Sequence, residues 1–294
     1  MTTGGAEHGG GPTARRMVLG AHLRRLRESV GITRSEAGYQ IRSSESKISW
    51  LELGRVGFKE RDVADLLTMY GVADEQEREN FLGMVKESNK PGWWQSYSDV
   101  MPRWLDNFVG LEEAASRLQV YELQFIPGLM QTEDYARAVV SHGSPDPYND
   151  VMEQRVAFRM RRQKILQRPD APRLWAVIDE SVLHRPIGGH AVLLGQIEKL
   201  LELTATPHIS LQVVEMHRSG YAAEGAFTLL RFAEPELPNI AYIEHLSGSL
   251  LIERLDEVEP YSRALDRLAV DALTPDQTRQ FLLKRRSELR SDLD

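Results

Sequence analysis

The residues with the richest chemistry sit in one stretch, SSESKISWLELG, residues 43–54. Ser44, Glu45, Ser46, Lys47, Ser49 and Trp50 bring hydroxyls, a carboxylate, an ammonium and an indole into two helical turns, and Arg34, Arg55 and Lys59 flank them with cations. Hydroxyls and carboxylates can read base edges through hydrogen bonds, an indole can stack on a thymine methyl, and cations hold phosphates. The chemistry open to such a set is recognition of a polyanion rather than bond making.

Each residue also has a plainer account. On a helical wheel Ile48 and Leu51 point inward, leaving Ser46, Ser49, Trp50 and Leu53 on the opposite face and Glu45 at the exposed first turn. There Glu45 can accept from cytosine N4, or it can simply be stabilised by the helix macrodipole. Glu52 faces the core and reads as an ion-pair or cap partner. Trp50 stacks on DNA or anchors the domain to another surface, and Lys47 is accounted for equally by a solvated charge.

The elements that must position these residues are legible. Leu19, Leu23, Leu26 and Val30 step by four, three and four along one helical face that Gly31 closes. Thr33-Arg34-Ser35-Glu36 is a capping box that opens a second helix running to about Ile41. Ser43 and Ser44 can cap a third, which Gly54 stops. Val63, Leu66, Leu67 and Tyr70 mark a fourth, and Asp74-x-x-Glu77 opens a fifth. Two short helices joined by a four-residue turn are a helix-turn-helix, whose second helix enters the major groove by its N-terminal end. Arg34 then meets the phosphate backbone at the start of the first of the pair, and Arg55 and Lys59 hold neighbouring phosphates.

LGAHLRRLRESVGITRSEAGYQIRSSESKISWLELG resembles the helix-turn-helix of the Xre/lambda-repressor-like family over about 55 residues. The resemblance implies that Glu45, Ser46 and Trp50 are base readers and that Ser44, Arg34, Arg55 and Lys59 hold the backbone. The chain departs from the family's usual pattern in four places. Arg34 replaces a glutamine, Gly38 an alanine, Arg42 the turn glycine and Glu45 a reading glutamine; Arg42 is strained if the turn stays left-handed.

Composition agrees with a local interface on an otherwise acidic protein. The chain has 294 residues, 41% hydrophobic and 27% charged, with a net charge of −7. Between Arg15 and Lys59, however, basic residues exceed acidic ones by six. That asymmetry points to a polyanion at the N-terminal part. No apolar run reaches the ~18 residues of a membrane helix and no export segment opens the chain, so a cytoplasmic protein, nucleoid-associated when bound to DNA, is expected. With no cysteine there is no disulfide or thiol catalysis. The eight histidines show no ligand-like spacing, so no metal and no cofactor is expected.

Residues 1–14, rich in glycine, read as a disordered tail, residues 15–88 as the helical DNA-binding domain, and residues 89–294 as an α+β regulatory domain. The segments 118–125, 173–180, 208–216, 226–233, 239–246 and 249–254 read as strands. Between and after them lie helices near 132–141, 149–167, 190–204 and 256–272, with a last one opened by Thr274-Pro275-Asp276-Gln277. Asp179, Glu180, His184, Glu244, His245 and Glu253 gather at strand ends, but no catalytic motif accompanies them and no enzyme activity is expected. Trp93, Trp94, Tyr97 and Trp104 form either an interdomain core or a partner interface, and Phe125 lies where a strand leads into a turn that shapes a pocket or is a plain connection.

GWWQSYSDVMPRWLDNFVGLEEAASRLQVYELQFIPGLMQTEDYARAVV, with RLWAVIDESVLHRPIGG, GAFTLLRF and YIEHLSGSLLIER, resembles the large C-terminal domain of actinobacterial WhiJ-like, antitoxin-like regulators. That resemblance implies a transcriptional regulator, often paired with a small neighbouring-gene protein of the BldB-associated kind. The expectation is thus a regulator, in the repressor sense, that binds double-stranded DNA as a homodimer under control of a partner protein or ligand. The alternative is an antitoxin-like protein acting mainly by neutralising a small partner.

Overall fold

The computed structural model describes residues 11–102, 104–142, 150–218, 225–235 and 237–293. The chain divides into two compact units. The first ends at Gln95 and takes in Asn107–Ala115 and Phe232–Pro238; the rest of the chain forms the second. It therefore continues past residue 88, the boundary expected from the chain break at Pro91-Gly92.

Five helices build the N-terminal part: α1 (Pro12–Ser29), α2 (Arg34–Gln40), α3 (Glu45–Glu52), α4 (Glu60–Met69) and α5 (Glu75–Ser88). Most of the expected tail lies outside the described residues. Its end does not fit a tail, because Pro12 starts α1 and Thr13 and Ala14 are only 4% and 2% exposed. Thr13 is held by a residue far along the chain: a Cβ on Gly110 would collide with its side chain.

The helical core is the one the spacing dictates. Leu19 and Leu23 of α1, Ala37 of α2, Ile48 and Leu51 of α3, Val63, Leu66 and Leu67 of α4, and Phe81 and Val85 of α5 pack as one cluster. Removing that apolar surface from water contributes about 25 cal/mol per Å². Val30 departs from its expected inward place. It is the C-cap of α1 and stands 47% exposed.

Four helix ends repeat one device. After α1, α2, α3 and α4 the amide two residues beyond the C-cap bonds the carbonyl five residues back, as in Ile32 to Arg27 (3.1 Å), Ser43 to Gly38 (2.8 Å), Arg55 to Trp50 (2.9 Å) and Val72 to Leu67 (3.0 Å). Such an ending needs a left-handed residue. Gly31, Gly54 and Gly71 fill three of these positions, and Arg42, at φ +54°, fills the fourth.

After α6 (Leu105–Ala114), the remaining strands and helices form an α+β arrangement on one six-stranded sheet. In chain order these are β1 (Arg117–Glu122), α7 (Glu133–His142), α8 (Asp150–Gln163), β2 (Arg173–Asp179), α9 (His190–Leu203), β3 (Ile209–Val214), β4 (Phe227–Arg231), β5 (Ile240–His245), β6 (Gly248–Ile252), α10 (Leu255–Asp271) and α11 (Pro275–Leu293). The sheet order is β3-β2-β1-β4-β5-β6; β1, β2 and β3 run parallel, and β4 to β6 form an antiparallel meander. All six segments read as strands are strands. Parallel pairing needs long crossovers, and helices occupy both of them.

Strand alternation sorts the two faces. Tyr121, Val177, Phe227, Leu229 and Ala241 pack against Val258, Leu265 and Leu268 of α10. Glu122 and Glu244 follow Tyr121 and Ile243 in their strands and so point from the opposite face. Thr274 opens α11 with the expected reciprocal cap: its amide bonds the Gln277 carboxamide (3.0 Å) and its hydroxyl accepts from the Gln277 amide (3.3 Å).

Candidate nucleic-acid interface

Two caps fix the helix pair. The Thr33 hydroxyl accepts from the Glu36 amide at 3.2 Å, while the Thr33 amide donates to the Glu36 carboxylate at 2.8 Å. These bonds from Thr33 hold the Glu36 carboxyl below its ordinary value. Ser44 caps α3 by accepting from the Lys47 amide at 3.2 Å. Ser44 therefore spends its hydroxyl on the helix end, at an exposed position.

Close backbone approach sets the angle of the pair. A Cβ on Gly38 would meet the Ser43 carbonyl oxygen at 2.9 Å, so the glycine that costs α2 stability allows the chain to turn tightly. A Cβ on Gly20 would likewise collide with the Leu51 carbonyl, and one on Gly54 would lie 2.5 Å from the Met17 amide. The reading helix thus rests on α1 with backbone against backbone at its C-terminal end.

Beneath that contact lies a buried ion cluster. Glu52 is 6% exposed and accepts from Arg27 at 2.5 and 3.1 Å; Arg27, also 6% exposed, further donates to the Ile32 carbonyl at 2.8 Å. The hydrogen bond to Glu52 pushes the Arg27 guanidinium above its ordinary value. Arg34 donates its Nε–H to Oε2 of the same carboxylate at 3.0 Å, an oxygen it shares with Arg27. One carboxylate at the end of α3 therefore ties α1 and α2 to it.

This corrects the simple reading of Arg34 as a free phosphate holder. Its side chain is one-third exposed and half committed to Glu52. What it offers a phosphate is the outer edge of a guanidinium already oriented from within. Lys47 is corrected too: its ammonium sits 3.3 Å from the buried Asp62 of α4 and joins α3 to α4.

The remaining candidates face outward together. Glu45 and Ser46 are exposed on the first turn of α3, Ser49 is half-buried, and Trp50 is 50% exposed one turn later. Arg55 and Lys59 are exposed beyond the end of α3. Two further exposed residues flank the turn and were given no DNA role by the sequence, Arg42 in the turn and Tyr39, 87% exposed at the end of α2. Tyr39 could have been found, because Ala37 and Ile41 are the inward positions of α2 and leave it on the outer face.

The aromatic candidates divide between the units. Trp94 of the first unit is 1% exposed and its ring fills the space over Gly92 and Gly110, so it is core and not partner surface. Half-buried Trp93 meets it edge-on at 6.0 Å. In the second unit Tyr97 packs 5.5 Å from Phe158, Trp104 is half-buried, and Phe125, 39% exposed, is the most accessible of the five.

No helix of the described residues is long and apolar enough to cross a membrane. Residues 18–81 match the family described as a helix-turn-helix domain, and residues 105–284 match the one described as a domain of unknown function, DUF5753. No curated protein and no solved structure matches the chain.

Proposed function

Because this chain belongs to the DUF5753 family and carries a helix-turn-helix domain ahead of that region, we propose that it is a sequence-specific transcriptional regulator of the Xre and WhiJ-like kind, acting as a repressor. The observation that carries this reading is the outer face of α3: Glu45, Ser46 and Trp50 are exposed while Ile48 and Leu51 are buried, and Arg42, Arg55 and Lys59 surround the face. A helix entering the major groove needs that division of labour, with polar readers at its N-terminal end and cations at the phosphates.

The protein binds as a homodimer, since one such helix reads a half-site too short for specificity and paired helices read two. Control enters through the second unit, from a small partner protein or a ligand, in the cytoplasm. That unit acts by binding and not by catalysis. Mapping of bound DNA across the genome of the source cell tests the whole reading: it should return a motif with two-fold symmetry, and a uniform, sequence-independent profile would overturn it. Co-purification of a small protein that leaves DNA binding untouched would instead favour the antitoxin-like role.

A further inference from the structure

The six-stranded sheet treats its two edges differently. At β3 the edge is sealed. Leu211 and Val213 are fully buried there, the Val213 carbonyl accepts from the Leu273 amide at 2.8 Å, and the Val213 amide donates to the Thr278 hydroxyl at 3.2 Å. At β6 the edge is open. Among the described residues β6 pairs with β5 alone, none of its residues is buried, and Leu250 is 56% exposed.

The hairpin decides which backbone groups face outward. His245 and Gly248 stand opposite each other across the two-residue turn Leu246-Ser247, and the pair that closes so short a turn is hydrogen-bonded. Bonded pairs alternate, so Gly248, Leu250 and Ile252 turn their amides and carbonyls towards β5. Ser249 and Leu251 turn theirs away, and among the described residues no hydrogen bond reaches those groups.

This edge lacks the devices that usually keep strands apart. From Leu246 to Ile252 the chain reads LSGSLLI, with no charge and no proline. Leu246 in the turn and Leu255 at the start of α10 are exposed too, so exposed leucines mark the strand and both of its ends.

We propose that β6 pairs antiparallel with β6 of a second copy of this chain, about a two-fold axis at Leu250. In that register Ser249 exchanges both backbone bonds with Leu251 of the other copy, and Leu251 does the same with its Ser249. Leu250 meets its own counterpart, Gly248 faces Ile252 with small against large, and Leu246 is carried towards Leu255. Self-pairing sets every residue near its own kind, so a charge in this strand would oppose itself; the strand has none. Pairing also stops at two copies, because the other edge of each sheet is sealed. The inference rests on the homodimer of the functional reading and names the surface that forms it.

The test is sedimentation velocity on the full chain without DNA, from about 1 to 100 µM, which brackets a Kd of about 10 µM. The parent chain should pass from monomer to dimer within that range. Leu250→Lys sets two ammonium groups against each other at the axis and should weaken association about 30-fold or more. An equal mixture of Leu250→Lys and Leu250→Glu should associate more tightly than either variant alone. Ser249→Pro removes an outward amide while sparing the bonds to β5, and should weaken association about tenfold. Because the chain has no cysteine, Leu250→Cys supplies a single thiol. At the axis it lies about 4.5 Å from its counterpart, Cα to Cα, within disulfide reach, so mild oxidation should give a covalent dimer. Val270→Cys, equally accessible on α10 at 83% exposure, should not. Circular dichroism checks the folding of each variant.

A parent chain that stays monomeric throughout the range would overturn this proposal and the homodimer reading together. Undiminished dimers in folded Leu250→Lys and Ser249→Pro, or cross-linking of Leu250→Cys no faster than that of Val270→Cys, would overturn the β6 pairing alone. If those variants keep the dimer but lose a co-purifying host protein, the edge belongs to that protein instead.

Discussion

Arg27 and Glu52 form a buried, two-bond ion pair, 2.5 and 3.1 Å long, between the first helix and the end of the reading helix. Both partners are nearly sealed from water, and Arg34 closes the cluster from the edge. The pair ties the position of α3 to a buried contact away from its exposed face.

Replacing Glu52 by Gln should therefore destabilise the first unit by roughly 3–5 kcal/mol, because it strands the Arg27 charge away from water. Denaturant unfolding followed by circular dichroism measures this. The double replacement R27M/E52M should recover most of the loss, since an apolar pair of similar volume fills the site without desolvating a charge. A double variant as unstable as E52Q would mean that packing, not the stranded charge, sets the cost.

Arg42 keeps a left-handed backbone where the three neighbouring helix ends use glycine. Arg42→Gly should raise stability by about 1 kcal/mol by relieving that strain. In the same variant DNA affinity should fall and the salt slope of binding should flatten by roughly one unit, the mark of one lost phosphate contact. Gain in melting temperature together with loss of affinity would show strain retained for binding.

Trp50 and Glu45 stand on the outer face of α3 without supporting its core. Trp50→Ala and Glu45→Gln should each leave stability within about 0.5 kcal/mol. Each should shift preference at particular base pairs by about 1–3 kcal/mol, as measured by binding to a library of operator variants. An unchanged preference profile for Glu45→Gln would leave that residue only its role at the helix terminus.

A fourth readout is the pH dependence of the second unit, where burial, reinforced by the charge of Glu244, holds the Glu122 carboxyl up at about 8. Below about pH 4.3 Glu122 is protonated in folded and unfolded chains alike and contributes no slope. Between there and about 8 the unfolded chain ionises while the folded one retains its proton, so stability falls as pH rises; above 8 it levels off. The total is of the order of several kcal/mol. Glu122→Gln should remove this decline and melt higher than the parent at pH 9.

The local signals in the sequence were enough to place most elements. Thr33 with Glu36 and Thr274 with Gln277 form the reciprocal caps that their spacing implies, and each strand expected from β-branched runs pairs in the sheet. What local signals could not supply were partners distant along the chain. Thr13 is buried through Gly110, Lys47 is drawn off by Asp62, and Arg34 is held by Glu52. Glu122 was silent for the same reason: nothing in LQVYELQF says that its last carboxylate will be enclosed beside Glu244. A charge on paper becomes an exposed group or a brace according to what the fold sets opposite it.

Gly20 and Gly54 let the backbones of α1 and the end of α3 meet directly, and the buried Arg27–Glu52 pair clamps the same joint. A joint of that kind has little freedom to adjust when residues on the outer face change. If the proposed reading holds, exchanges at Glu45, Ser46, Ser49 and Trp50 should change operator preference while the mounting stays in register.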